Sequence, residues 1–378
     1  MKRIIFWGVL LLPAFVVLFF VAVFIADVKR LDRISHDEIG AKLDTYLSAK
    51  EGTLFPAPKG FFEAGPQDAG IFVFGESSVV ITDKLTFSQY LEQDLQPNNS
   101  NIKVVNFGIP GIDSYSIKLR VAQALNSAST PKAILLYFGH NDYNVAYKYV
   151  LHPYWEESFN VFLKLTYHLS GRKFNFPDQK FVFRSDNYND FYWYAMFTRP
   201  VFFDIAQRLG LYKVDNGKYD GYNLKILEQF KKNTSEILDM AAAKGIPVII
   251  VTPIGNLSAK PHGSIDMVDK SYQMGMSARN YAESVRHLTK AKDNEIFTGD
   301  MRAKSQLLDY LRTLHDGNKV FVFDLEKDFI QAGFKFDGSN FLDYFHLNDS
   351  AHRAVGSYIS GRIRADGRLQ EHLGLSKP

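Results

Sequence analysis

Five short, uninterrupted apolar runs, each bounded by turn or helix signals, constrain this chain more than any other feature. They are Ile71–Phe74, Val104–Val105 with their flanks, Ala133–Tyr137, Pro247–Val251 and Val320–Phe323. A strand with one wet face alternates apolar and polar residues, so runs without alternation suit strands covered on both faces, as in a parallel sheet. Between and after them lie helix-like stretches: Phe87–Leu95, Ile117–Leu125, Leu224–Ala243, Lys304–Leu314 and Asp349–Ile359. The third of these ends in Lys244-Gly245, a cationic last turn followed by a glycine able to take the left-handed conformation. The alternation predicts βαβ units in a three-layer α/β/α domain with a roughly five-stranded parallel sheet.

The remainder of the chain divides around that domain. After the tail at 1–3, residues Ile4 to Ala26 form 23 positions without a charge. As a helix this run is roughly 34 Å long, enough for a hydrocarbon core of about 30 Å. It is longer than a signal-peptide core and is followed by no clean small-x-small cleavage site, so it is expected to be an uncleaved transmembrane anchor in the lipid bilayer. Basic residues flank both sides, Lys2 and Arg3 against Lys29, Arg30 and Arg33. The short tail before a long domain favours a single-pass protein with its large domain outside the cytoplasm. Residues 27–69 read as a stalk and connecting segment, and 70–378 as the α/β domain.

Two intervals break the domain's rhythm and read as insertions, at about 143–225 and 256–300. Within the first, 20 of the 61 positions from 143 to 203 are Phe, Tyr or Trp, against 15% for the whole chain. Such a segment can extend the core, stack on sugar rings or line an acyl groove, or meet a lipid interface.

Charge and cysteine content remove several functions. Lys and Arg number 44 against 41 Asp and Glu, a net charge of +3 without a basic cluster, which gives no reason to expect a nucleic-acid partner. Cysteine is absent, excluding disulfides, thiolate metal sites and a cysteine nucleophile. The histidines at 36, 152, 168, 262, 287, 315, 352 and 372 show no metal-ligand spacing, and neither a Walker loop nor GxGxxG occurs. No cofactor or metal is expected.

Chemistry-bearing residues follow the strands. The first runs into Phe74-Gly75-Glu76-Ser77-Ser78, where a serine in a tight turn can project its hydroxyl above the sheet, or simply cap a helix. The second is followed by Asn106-Phe107-Gly108-Ile109-Pro110-Gly111-Ile112-Asp113, a loop whose backbone N–H groups can face outward or merely form a turn. After the third comes Phe138-Gly139-His140-Asn141-Asp142, which can present the Asn141 amide to a cleft. Near the end, Asp343-Tyr344-Phe345-His346 precedes a helix-like run. Its spacing lets Asp343 reach one imidazole nitrogen while the other faces outward, although such pairs also occur incidentally on surfaces.

Together, in this order, the four blocks resemble the SGNH hydrolase superfamily, also called GDSL-type esterases and lipases. The resemblance covers about 70–142 and 319–364, is compatible with 226–255, and says little about the two insertions. It implies Ser77 as nucleophile, His346 as general base, and Asp343 as the group that orients the imidazole and stabilises its cation. It implies an oxyanion hole from the Ser77 N–H, the Gly111 N–H and the Asn141 amide, with Gly108 as a less favoured alternative to Gly111. Glu76 stands where the family usually has Asp, and Ser78 supplies a second nearby hydroxyl. His140 fills a variable position and reads as a wall or substrate contact.

The implied function is a membrane-anchored serine esterase working through an acyl-enzyme on O-acyl esters. Its substrate would be an acylated small molecule or carbohydrate, including O-acetyl groups of envelope or secreted polysaccharide. An O-acyltransferase using the same triad is the nearest alternative. A non-catalytic anchored binding module is the alternative from another class.

Overall fold

A computed structural model describes residues 69–96, 102–127, 130–146, 216–261, 266–295 and 302–375, with isolated positions elsewhere. The stalk and connecting segment expected at 27–69, apart from Ala69 and isolated residues, and the aromatic interval beyond 146 lie outside the described residues. So does most of the expected span at 4–26, of which 18, 19 and 21–26 are helical. Among the described residues, no helix is long and apolar enough to cross a membrane.

The sheet has five strands: β1 (Ala69–Gly75), β2 (Lys103–Asn106), β3 (Ala133–Tyr137), β4 (Val248–Val251) and β5 (Val320–Phe323). Its order is β2-β1-β3-β4-β5, and every neighbouring pair is parallel. All five apolar runs became strands. Nine described helices connect or cover them: α1 (Phe87–Leu95), α2 (Ser114–Leu125), α3 (Asn216–Ala243), α4 (Asp266–Met276), α5 (Tyr281–Asp293), α6 (Ser305–Thr313), α7 (Leu325–Gln331), α8 (Asp349–Ala365) and α9 (Gly367–Leu373).

Lack of alternation in the strands has the expected cause. Phe72, Phe74, Ile134, Leu136 and Ile250 enter one buried cluster with residues of α2, α3 and α6. Their neighbours Ile71, Val73, Leu135, Ile249 and Val251 enter a second cluster with residues of α1, α5 and α8. Two covered faces thus need apolar residues at both parities.

Several helices begin earlier or run longer than their apolar spacing indicates. Helix α2 starts at Ser114 because Asp113 caps it, accepting from Ser116 N at 2.9 Å. Helix α8 is capped by Asn348, which accepts from Ala351 N at 3.1 Å, and extends to Ala365. Gly245 has φ +69°, as a helix-ending glycine should. The interval at 256–300 contains two helices that pack together, α4 and α5, where sequence spacing indicated an interruption.

Candidate active site

All four motif loops lie at the C-terminal edge of the sheet. In this strand order the chain turns back between β1 and β3, where parallel α/β sheets characteristically open a ligand crevice. The end of β1 sits there: Gly75 lies opposite Tyr137 of β3. A Cβ at Gly75 would fall 2.3 Å from the Tyr137 carbonyl oxygen, so the close approach of the two strands requires glycine.

Glu76 fastens these exits together. Its Oε1 accepts from Gly139 N at 2.7 Å and its Oε2 from Asn141 N at 3.0 Å. The carboxyl is fully buried, and burial, followed by the proximity of Asp142, pushes its pKa well above the ordinary range. The position noted as a departure from the family pattern thus holds the third motif loop beside the first. Ser77 follows in a single 3-10 turn, Ser77–Val79, tightened by bonds from Val80 N (3.0 Å) and Ile81 N (2.7 Å) to the Ser77 carbonyl. Ser77 is 5% exposed and Ser78 is fully buried, which distinguishes the two hydroxyls by access.

The second loop packs against the same turn. Asn106 Nδ2 donates to the Val79 carbonyl at 2.7 Å, and Ile109 N donates to the Gly75 carbonyl at 3.1 Å. The Gly108 N–H is consumed by Asn106 Oδ1 at 2.9 Å. A Cβ at Gly108 would lie 1.9 Å from Val79 Cγ2. Gly111 has φ +76°, and among the described residues its N–H makes no internal hydrogen bond. Of the two glycines, Gly111 is the one with a donor to spare.

In the third loop, Gly139 has φ +124°. The next residue, His140, accepts from Ala303 N at 3.0 Å through Nδ1, which puts the ring hydrogen of the neutral form on Nε2. Burial, with smaller contributions from His346 and Lys292, lowers the His140 pKa to about 3. It is therefore held neutral beside the Asn141 loop. Asn141 is 5% exposed and its side-chain Nδ2 is buried without a partner. Asp142 turns away to accept from the N–H and hydroxyl of Ser114, and burial and Asp113 raise its pKa.

The last motif is a self-contained turn. Asp343 Oδ1 accepts from Phe345 N (3.0 Å) and His346 N (2.9 Å), while Oδ2 meets His346 Nδ1 at 2.5 Å. Leu342 N closes the turn on the His346 carbonyl at 2.8 Å. Burial raises the Asp343 pKa, but the hydrogen bond and charge of His346 outweigh it, so the carboxyl lies below its ordinary value. A carboxylate on Nδ1 fixes the neutral imidazole with its lone pair on Nε2, the form a general base needs. That Nε2 is buried and has no hydrogen-bond partner.

Six residues later, His352 serves another purpose. Its Nδ1 accepts from Phe87 N and its Nε2 meets the Ile81 carbonyl, both at 3.1 Å. Burial lowers its pKa to about 4. It ties α8 to the segment just beyond Ser77, bringing the end of the chain to the first motif.

The structure therefore gathers the strand-exit loops bearing Ser77, Gly111 and Asn141, and pairs Asp343 with His346. No hydrogen bond joins Ser77 Oγ to His346 Nε2. Sequence reasoning noted Glu76 only as a departure from the family pattern and missed its bonds to Gly139 N and Asn141 N. Among the described residues no group of acidic, histidine or cysteine side chains could hold a metal ion.

No family model matches the chain, and no curated protein matches it. Solved structures do. They include the acetyl xylan esterase AlAXEase, with 14% identity, 78% of this chain and 99% of that chain covered, and a TM-score of 0.39. Another is the lipase Lip_vut3 from a goat rumen metagenome, with 13% identity, coverage of 80% and 99%, and a TM-score of 0.41. A lipase/acylhydrolase from Enterococcus faecalis has 13% identity, coverage of 82% and 98%, and a TM-score of 0.35. Likeness at this level assigns neither activity nor substrate.

Proposed function

We propose that this chain is a serine esterase of the SGNH hydrolase type, with Ser77, His346 and Asp343 as its triad. The observation that carries the reading is the Asp343–His346 pair, which leaves a buried imidazole Nε2 without a partner at the sheet edge where Ser77 emerges. A buried acceptor without a partner is costly in a merely structural role.

In this reading His346 Nε2 takes the Ser77 Oγ proton as Oγ adds to the acyl carbon, and Asp343 stabilises the imidazolium formed. The oxyanion accepts from the N–H groups of Ser77 and Gly111 and from Asn141 Nδ2, whose free donor suits that task. The C–O bond then breaks, and the alcohol leaves with the proton held by His346. Water, deprotonated by the same nitrogen, adds to the acyl-enzyme and releases the acid and free Ser77.

Substrates are O-acyl esters, with O-acetyl groups on envelope or secreted polysaccharide as the leading class. Anchoring through residues 4–26 belongs to the same proposal, supported by the uncharged run and by the exposure of Leu18, Phe19 and Val21 on its helical portion. The proposal includes an α/β domain outside the cytoplasm, which the short tail before a long domain favours. A carbonate wash should leave the full-length chain in the membrane fraction; recovery as a shortened soluble protein would reject the anchor.

The triad is tested by Ser77→Ala, which should lower p-nitrophenyl acetate turnover by about 10⁴-fold or more with unchanged thermal unfolding. A fluorophosphonate should label Ser77 in the wild type, located by mass spectrometry. Wild-type turnover in the variant, or labelling elsewhere, would reject the nucleophile.

A further inference from the structure

We infer that Asn256, held by a buried Arg302–Glu295 pair, is a positioning residue for the Asp343–His346 turn. The inference rests on the reading of His346 as base and adds the machinery that aims it. Asn256 lies just beyond β4 and grips the turn's backbone twice. Its N–H donates to the Tyr344 carbonyl at 2.8 Å, and its Nδ2 donates to the Asp343 carbonyl at 3.0 Å. Its Oδ1 is anchored from behind by Ser258 N (3.1 Å), Ser258 Oγ (2.8 Å) and Ala259 N (3.1 Å). With both ends of the amide engaged, neither Asn256 nor the two residues whose carbonyls it holds can shift alone.

Arg302 fixes the remaining polar atom. Its Nη1 donates to the carbonyl of Asn256 and, at 3.2 Å, to that of Ala259. The opposite side of the guanidinium is clamped by Glu295, Nη2 to Oε1 at 2.5 Å and Nε to Oε2 at 3.2 Å. Both residues are 1% exposed. Burying an ion pair is a poor way to gain stability, because desolvation offsets the attraction. What it supplies is a planar, rigid fork at a fixed place. Space is kept for it at Gly255, where a Cβ would lie 3.1 Å from Arg302 Cγ and 3.2 Å from the Tyr344 carbonyl oxygen.

A second route reaches the same turn from the next residue. Ala303 N donates to His140 Nδ1, and the His140 ring stacks on Phe345 with centroids 4.7 Å apart and planes 14° apart. Phe345 in turn lies against the His346 ring at 4.6 Å. Residues 302 and 303 thus restrain the turn through its backbone and through its aromatic neighbour. Neither Glu295 nor Arg302 belongs to a motif block, yet the pair converges on the base.

The test uses the full-length chain in detergent and the variants Asn256→Ala, Asn256→Asp, Arg302→Lys and the Asn256→Ala/Arg302→Lys double. Misplacement of a catalytic group by about 1 Å costs about 10²-fold, so Asn256→Ala should lose that much kcat on p-nitrophenyl acetate with KM near wild type. Arg302→Lys should lose less. Because Arg302 acts through Asn256, the double variant should be no slower than Asn256→Ala, whereas additive losses would overturn the inference. Asn256→Asp keeps the shape and Oδ1 but sets a charged oxygen against the Asp343 carbonyl, so it should lose at least as much kcat as Asn256→Ala; Arg302→Lys, which leaves the amide intact, reports where either Asn256 variant does not fold. Independently of turnover, the downfield proton resonance of His346 Nδ1–H in ¹⁵N-histidine-labelled protein should move or vanish in both Asn256 variants. Wild-type kcat and resonance with only a lowered melting temperature would reduce Asn256 to an ordinary stabilising contact and overturn the proposal. An inactive wild type would instead reject the esterase reading, and the resonance would still decide the positioning claim.

Discussion

One methylene at Glu76 decides how the first and third motif loops meet. The glutamate carboxyl spans two N–H groups, of Gly139 and Asn141, and an aspartate carboxyl would sit one methylene short of them on the same backbone. Glu76→Asp should therefore strand at least one buried donor and lower stability by about 1–3 kcal/mol in urea unfolding. It should also lower kcat, because Asn141 is no longer held. At Asn141 itself, alanine removes the free side-chain donor and should cost about 10²–10³ in kcat with unfolding unchanged. The motif residues were legible in the sequence because each lies next to a strand end or within a three-residue turn. Glu76 was legible only as an oddity, since its partners are 63 and 65 positions away and no local pattern encodes that pairing. Arg302 was invisible for the same reason, 46 positions from Asn256.

Among the elements, strands were read nearly to the residue, because burial on both faces leaves an unmixed apolar signature. Helices α4 and α5 were not, since their buried faces are narrow and diluted by polar residues and by a glycine that resembles a turn signal. Gly275 in fact marks a close contact: a Cβ there would lie 2.6 Å from the Leu288 side chain, and Ser284 Oγ donates to its carbonyl at 2.8 Å. Helix α8 shows how differently two glycines of one helix can behave. At Gly356 a Cβ would meet Tyr90 Cβ at 2.7 Å and the Phe87 carbonyl at 2.8 Å, where α8 crosses α1. At Gly361 nothing lies within 4 Å. Gly356→Ala should destabilise by about 1–3 kcal/mol through overpacking. Gly361→Ala should stabilise by roughly 0.5–1 kcal/mol, as removal of helical glycine does. Opposite shifts in the urea midpoint check both.

For the whole molecule, the buried ionisable groups set a pH optimum of stability. His140 and His352 are held neutral, with pKa values lowered to about 3 and about 4 by burial. Between those values and the ordinary histidine pKa of about 6.5, the unfolded chain binds more protons, so stability falls as pH drops through that window. Carboxyls with lowered pKa, such as Asp343, add to the loss further into acid. Glu76 and Asp142 act in the opposite direction: raised by burial, they stay protonated in the fold above about pH 4.5, where the unfolded chain has released its protons. Their contribution falls as pH rises from there to their folded values. Urea midpoints should therefore peak between about pH 4.5 and 6.5, declining towards both pH 3.5 and pH 8. A steady rise to pH 8 would contradict these assignments.

The tie between His352 and the segment after Ser77 spans 271 positions from Ile81, and 265 from Phe87. If Ser77 and His346 are nucleophile and base as proposed, the two are made at opposite times during synthesis, and a ribosome-bound chain lacking β5 and α8 should be chemically inert however well its earlier strands have paired. The order of events has a kinetic signature. In refolding, ester turnover should return after the helical signal, in step with docking of α8 on α1, so the appearance of product is a clock for the last step of folding.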